Sequence, residues 1–359
     1  MTMKRYLSNT LFSISILTGM LFVSCSYPPV PEDKDVVELE RIWQYCKAFS
    51  LYSDRVPARE RLLEFNNPCE LVDSIYDTLY SHWDTVTYFW ADYKPEYNQF
   101  YIPVRNIKDP GNEIQIDPYN RTVNFHKLTD STAYIYIKKF GLTTCSEFMS
   151  YSSAIADIPN IIINLNKNVG GYVSPCLAVI DRLLPAGVTY LLVKERRIGS
   201  DTGTVDTTWT SAVNDSAWGG KKVVILIDDS TASASEILTV ALRDGMPSGS
   251  VYIIGEKSFG KAIGQVIFHL LNDAGLRLTT LRFMPINGVN YHEVGITPDL
   301  QYSGSFRDEI ITAGKWLEPG FETAVNTAVL SAIVATDSTQ QASPVRGYYK
   351  IIEKDDLPF

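Results

Sequence analysis

The sequence predicts an α/β core preceded by a small helical module. From residue 133 onward, apolar runs of strand length alternate with stretches of helical spacing, the signature of strands covered by helices. Several of those runs, such as Asn160 to Leu165 and Lys222 to Ile227, hold unbroken apolar stretches, Ile161 to Ile163 and Val223 to Ile227, as expected when both faces of a sheet are covered. Further upstream, Val36, Leu39, Trp43, Cys46 and Phe49 recur at helical spacing, as do Leu71, Ile75, Leu79 and Trp83.

The first residues read as a targeting segment. Lys4 and Arg5 precede an apolar run, Leu11 to Val23, too short for a good membrane span and suited to a signal peptide. The run ends Leu21-Phe22-Val23-Ser24-Cys25. A small residue directly before a Cys at that place resembles a bacterial lipoprotein signal, which implies that residues 1–24 are removed and that Cys25 carries the lipid. An ordinary secretory signal or an uncleaved anchor is the alternative. Ser26 to Asp35, rich in Pro, reads as the rest of a 25–35 tether. Residues 36–132 then hold the helical module and an aromatic-rich region (Tyr88, Phe89, Trp90, Tyr93, Tyr97, Phe100, Tyr101), read as short strands and loops that form core or a carbohydrate platform.

Within 133–302 the expected order begins with a strand at Tyr134–Ile137, a helix at 142–158, a strand at Asn160–Leu165 and a helix at Val173–Leu184. A strand at 188–194, a strand at Lys222–Ile227, a helix at 233–243 and a strand at 251–255 follow. The last expected strands are at 265–271 and 276–284. Residues 303–359 show one helical pattern, Phe321 to Ile333.

Charge and composition exclude some functions. The net charge is −9, no block of Lys and Arg stands out, and a nucleic-acid partner is not expected. Cys46, Cys69, Cys145 and Cys176 lack metal-ligand spacing. An oxidising compartment would permit disulfides in any of three pairings, and buried thiols are the alternative. The four histidines are scattered, so no metal or cofactor is expected.

Three segments could carry chemistry. Asp228-Asp229-Ser230-Thr231-Ala232-Ser233-Ala234-Ser235-Glu236-Ile237 sits where a buried strand ends and a buried helix begins. A Ser there has the positive end of the helix dipole beside it, which favours the charge developed when a hydroxyl attacks a carbonyl. Ser233-x-x-Glu236 is equally a capping box. In Gly255 to Gln265, Lys261 follows a Gly at the edge of a core. Burial disfavours an ammonium, and a neutral amine can take a proton from a hydroxyl; a solvated loop Lys is the plain alternative. Gly170-Gly171, after an apolar strand, can present N–H groups to an anion or can simply turn the chain.

In this order the three segments resemble the C-terminal processing peptidases, or tail-specific proteases, Ser/Lys peptidases with a Clp-protease/crotonase-like core. The resemblance lies in Thr231-Ala232-Ser233-Ala234-Ser235-Glu236-Ile237, in Gly255, Glu256, Phe259, Gly260, Lys261 and Gln265, and in the flanking Ala133 to Phe140 and Gly295-Ile296-Thr297-Pro298-Asp299. It implies that Ser233 is the nucleophile, Lys261 the base and Gln265 the group that orients it, with Gly170 and Ala234 N–H as oxyanion donors. It also implies protein or peptide substrates cut through an acyl-enzyme, and the lipoprotein signal puts those substrates outside the cytoplasm.

The chain departs from the family pattern in places. Asn164-Leu165-Asn166 stands where Asp-Leu-Arg is usual, removing two charges near the Gly pair. Met246 to Ser250 is about three residues longer than usual, and residues 84–132 are too few for a PDZ domain. A Ser/His arrangement through His269 or His292 is one rival. A lipoprotein that binds peptide or glycan on the same fold without cutting it is another.

Overall fold

The computed structural model describes residues 34–76, 86–89, 121–196, 204–211, 217–270 and 275–341. Cys25, the tether and most of the aromatic-rich region lie outside them. The elements in chain order are α1 (Lys34–Phe49), a 3-10 turn (Arg59–Glu64), α2 (Pro68–Tyr76), β1 (Val86–Phe89), β2 (Val123–Lys127), β3 (Thr132–Ile137), α3 (Thr144–Met149), α4 (Ser152–Ile155), β4 (Asn160–Asn164) and α5 (Val173–Leu183). There follow β5 (Thr189–Arg196), β6 (Thr204–Thr210), β7 (Lys222–Ile227), α6 (Ala234–Gly245), β8 (Val251–Gly255), β9 (Ile263–His269), β10 (Gly275–Pro285), β11 (Leu300–Gln301), α7 (Phe306–Leu317), α8 (Phe321–Ala324) and α9 (Thr327–Gln341).

One sheet has the order β11-β8-β7-β4-β3-β2, parallel from β11 to β3 and antiparallel at β2. Its continuous apolar strands divide by parity, because successive side chains point to opposite faces. Ile135, Ile161, Ile163, Val223 and Ile225 face a core completed by α5, α6 and the stacked pair Phe148–Trp218. Tyr134, Ile162, Val224 and Leu226 face a second core under α7, α8 and α9. Both faces are therefore covered, as the uniform hydrophobicity of the strands requires.

The second sheet runs β1-β10-β5-β6, with β9 also paired to β10. Leu191, Val193 and Phe283 of this sheet share the core of α5 and α6. The N-terminal helices pack elsewhere. Leu39, Ile42, Leu71 and Ile75 form a third core with Leu270, Leu276 and Leu278 of the β9–β10 hairpin. Tyr45 stacks on Phe268, Phe49 packs against the same ring at a tilt, and Leu51 N–H donates to Thr279 O.

Some expectations change. The single helix expected over 142–158 is two short ones, α3 and α4. The C-terminal region holds α7 ahead of the helix anticipated at 321–333, and that helix is itself split into α8 and α9. The missing side chain of Gly314 inside α7 is what admits the Phe321 ring. Among the described residues Cys46, Cys145 and Cys176 are free thiols, and no helix is long and apolar enough to cross a membrane.

Candidate active site

Ser233 stands between β7 and α6 with φ 57° and ψ −118°. That backbone region is costly for a residue with a side chain, on the order of 1–3 kcal/mol, and persists only where neighbours enforce it. Those neighbours are identifiable. Thr231 Oγ1 donates to Leu165 O at 3.0 Å, and Ala232 N–H donates to Asn168 O at 3.0 Å. Ser235 Oγ donates to the same Asn168 oxygen at 2.9 Å. The turn bearing Ser233 is thus fastened to the loop after β4 on both sides of the serine.

Glu236 joins Ser233 to the other segment. Its side chain is fully buried. One oxygen, Oε2, accepts from Ser233 N–H at 2.9 Å and from Lys261 N–H at 2.7 Å. The other, Oε1, accepts from Ser258 Oγ at 2.6 Å and Gly260 N–H at 2.7 Å. The backbone nitrogens of Ser233 and Lys261 therefore cannot be further apart than the sum of two hydrogen bonds. The Glu236 arm of the capping box is present, and the same carboxylate also grips the lysine loop. Burial pushes its carboxyl upward, opposed by the four donors.

Lys261 is held from several directions. Phe259 N–H donates to Thr231 O, and Glu293 N–H to Gly260 O. Ala262 N–H donates to His292 Nδ1 at 3.2 Å. Ser258 N–H donates to Ile296 O, and Ile296 N–H returns a bond to Ser258 Oγ. A side chain on Gly295 would collide with Ser258 O, and its φ is +79°, so only Gly lets the Gly295-Ile296 segment close over this loop. Burial, aided by the charge of Arg277 and opposed by Glu236, pulls the Lys261 ammonium down to about 8. Its Nζ lies 3.5 Å from Gln265 Oε1, at the long end of a hydrogen bond.

The Gly pair meets the serine directly. A Cβ on Gly170 would sit 2.8 Å from Ser233 Cβ and 2.9 Å from Ala234 N. Gly170 N–H, however, donates to Asn168 Oδ1 at 2.9 Å. This corrects the expectation that it is aimed at an oxyanion: the Asx turn at Asn168 has taken it up. Gly170 O accepts from Phe140 N–H. In a trans peptide the next N–H, that of Gly171, points the opposite way, away from Phe140. Ala234 N–H, in the first turn of α6, has no intrahelical partner.

The unusual Asn164-Leu165-Asn166 braces the loop with neutral side chains of its own. Asn164 Nδ2 donates to Tyr134 Oη at 2.8 Å, and Asn166 Nδ2 to Glu309 Oε2 of α7 at 3.0 Å. Asp228 accepts from Lys167 N–H and Ser230 N–H. Sequence reasoning missed Asn168 and Asp228, and it saw Glu236 only as a cap. The signal for all three is a polar side chain in an otherwise apolar strand-to-helix junction. Of the rival bases, His292 spends Nδ1 on accepting from the N–H of Ala262, the residue after Lys261; the His269 side chain is outside the described residues. Among the described residues no group of His, Cys, Asp and Glu could hold a metal.

A strained serine at a helix start, tied through one carboxylate to a depressed lysine, is an arrangement for nucleophilic attack. Residues 131–302 match the family described as Peptidase family S41. This segment belongs to that family. The chain is 27% identical over 213 residues to carboxyl-terminal-processing peptidase 3, chloroplastic, of Arabidopsis thaliana, covering 58% of this chain and 39% of that protein. It is 26% identical over 188 residues to the carboxyl-terminal-processing protease of Synechocystis, covering 52% of this chain and 41% of that protein. The matched region spans well under half the length of either relative. A lipoprotein from Streptococcus agalactiae shares the fold at a TM-score of 0.53 and 16% identity, covering 81% of this chain and 97% of that one.

Proposed function

We propose that the protein is a serine endopeptidase acting on proteins or peptides outside the cytoplasm, held at a membrane by a lipid on Cys25. Ser233 Oγ attacks the peptide carbonyl while neutral Lys261 takes its proton. Gln265 holds the amine. The N–H groups of Ala234 and Gly171 receive the oxyanion, a task Gly170 can share only by releasing Asn168. The leaving amine takes the proton back from Lys261, and water then hydrolyses the acyl-enzyme by the same route.

The observation that carries this reading is the shared oxygen of Glu236, which accepts the backbone N–H of both Ser233 and Lys261. Membership of residues 131–302 in a peptidase family supports it. The lipid anchor rests on the Val23-Ser24-Cys25 sequence alone.

The test is digestion of β-casein by the chain from Ser26 onward, beside its Ser233→Ala and Lys261→Ala forms. Cleavage by the unaltered chain only, with both variants down by at least about a thousandfold, supports the dyad. Retention of most of the rate by Lys261→Ala overturns it. No cleavage by any of the three, together with measurable peptide or glycan binding, favours a binding lipoprotein on this fold. Metabolic labelling with a radioactive fatty acid, lost in Cys25→Ser, tests the anchor.

A further inference from the structure

The β9–β10 hairpin has two working faces. Leu276 and Leu278 of β10 are buried in the core shared with α1 and α2, and Phe268, which pairs with Leu276, packs against the same core. Side chains alternate across a strand, so Arg277 and Thr279 point to the opposite face. Gln265 is directly opposite Thr279 in the antiparallel register, and opposed residues share a face. Gln265 therefore stands on the face of Arg277, and there its Oε1 meets Lys261 Nζ at 3.5 Å. The face turned away from the N-terminal helices is the one that holds the amine.

Arg277 lies diagonally across the ladder from Gln265. Such diagonal neighbours are about 7–8 Å apart, within reach of a long side chain. The backbone at this point is held on both sides, because Arg277 pairs with Ile267 of β9 and with Thr87 of β1. Leu51 N–H adds a bond to Thr279 O. Arg277 is half-buried, so solvent and salt screen its charge only in part.

Other charged or titratable groups surround Lys261. Glu236 of α6 accepts Lys261 N–H. The segment 291–296 contributes His292, whose Nδ1 accepts from Ala262 N–H, and Glu293, an exposed residue. The loop itself carries Glu256 and Lys257. Glu236 attracts a protonated amine, whereas Arg277 repels one. The carboxylate that ties the serine and lysine segments together thus works against the chemistry, since it favours an ammonium that cannot take a proton.

We propose that Arg277 is the positioning residue that offsets Glu236: from its place diagonal to Gln265, its guanidinium repels a second cation and keeps the Lys261 amine free to take the Ser233 proton. This role rests on the peptidase reading, because the amine it frees is the one that serves Ser233.

Two measurements test it. Lysine labelled with carbon-13 at Cε is titrated by NMR in the Ser233→Ala chain, with the Lys261 signal assigned by its loss in Lys261→Met. Steady-state cleavage of fluorescein-labelled casein by the Ser233-containing chain is followed between pH 7 and 10. Arg277→Met should raise the Lys261 midpoint by about one pH unit, the scale of one partly screened charge at that distance. At pH 7, kcat/KM should then fall about tenfold, and the loss should shrink to about twofold or less by pH 10. Arg277→Gln, neutral and polar, should do the same. Arg277→Lys keeps the cation and should stay within about twofold of the parent at pH 7. A loss of equal size at every pH, or one carried by KM alone, overturns the assignment, because an arginine that only holds the fold or touches substrate would act that way. A Lys261 midpoint unmoved in both neutral variants overturns it as well. A raised midpoint with no Ser233-dependent cleavage in any form would remove the peptidase and leave the charge coupling. Cleavage whose pH profile ignores Arg277 would do the reverse.

Discussion

Replacing Glu236 by Gln tests whether the nucleophile and base are held by one carboxylate. Four donors converge on it, two at each oxygen. An amide keeps one oxygen and turns an NH2 toward the other two donors. The less costly orientation places that NH2 at the Oε1 side, because Ser258 can rotate its hydroxyl and accept, although it already accepts from Ile296 N–H. Gly260 N–H is then stranded. A stranded buried donor costs about 1–3 kcal/mol, and exchanging charged for neutral hydrogen bonds at the retained oxygen costs about another 1 kcal/mol each. Against this, the amide escapes the desolvation that raises the Glu236 carboxyl. The balance is a loss of about 2–4 kcal/mol, or roughly 5–15 °C in Tm for a domain of this size. The assay is thermal unfolding of Ser233→Ala beside Ser233→Ala/Glu236→Gln, which removes self-digestion. In the Ser233-containing protein, displacement of the dyad by even 1 Å should lower kcat by about a hundredfold. A Tm within about 2 °C of the parent, with kcat intact, would refute the reasoning.

With the Lys261 ammonium pulled down to about 8 from 10.5, the proposed activity should be alkaline. Only its neutral form accepts a proton, so kcat/KM should rise about tenfold between pH 7 and 9 and then level; a flat profile or a midpoint near 6.5 would point to a histidine. The same lowered value means that the folded state binds fewer protons than the unfolded between about 8 and 10.5. The cost of the buried ammonium is thus present below pH 8 and relieved as pH rises through that window. Lys261→Met should therefore abolish cleavage yet raise Tm at pH 7, measured by calorimetry. At Gly170, φ is +99° and a Cβ would lie 2.7 Å from Ala232 O. Gly170→Ala should cut kcat by at least about a hundredfold through the Ser233 turn, with KM changed far less, as steady-state kinetics on a fluorogenic peptide would show.

The core was legible because its strands are apolar on both faces. Ile161-Ile162-Ile163 and Val223-Val224-Ile225 need two covering layers, and the parity of their side chains supplies both. The serine and lysine segments were legible as motifs, and the fold brings them together. What could not be read is which hydrogen bonds each group spends. Asn168 looks like one more loop asparagine, yet it occupies Gly170 N–H and receives Ala232 N–H. Glu236 reads as a helix cap because the cap is local, whereas its bonds to Ser258, Gly260 and Lys261 cross more than twenty residues. The helix at Phe306–Leu317 was not anticipated, and the role of Gly314 within it appears only when Phe321 packs on it. The strand Val86–Phe89 carries no signal of its own partner, because β10 lies far along the chain.

The packing of the N-terminal helices also sets the order in which the protein can become itself during synthesis. Chains emerge N-terminus first, and Leu39, Ile42, Leu71 and Ile75 leave the ribosome early with their apolar faces uncovered. Their partners, Leu270, Leu276 and Leu278, are made some two hundred residues later, on the hairpin whose first strand holds Gln265. Contacts so distant in sequence form late and slowly. A nascent chain that already contains the Ser233 turn therefore still lacks a seated Gln265 and a closed third core, so the proposed site is completed only after about three quarters of the chain has been made.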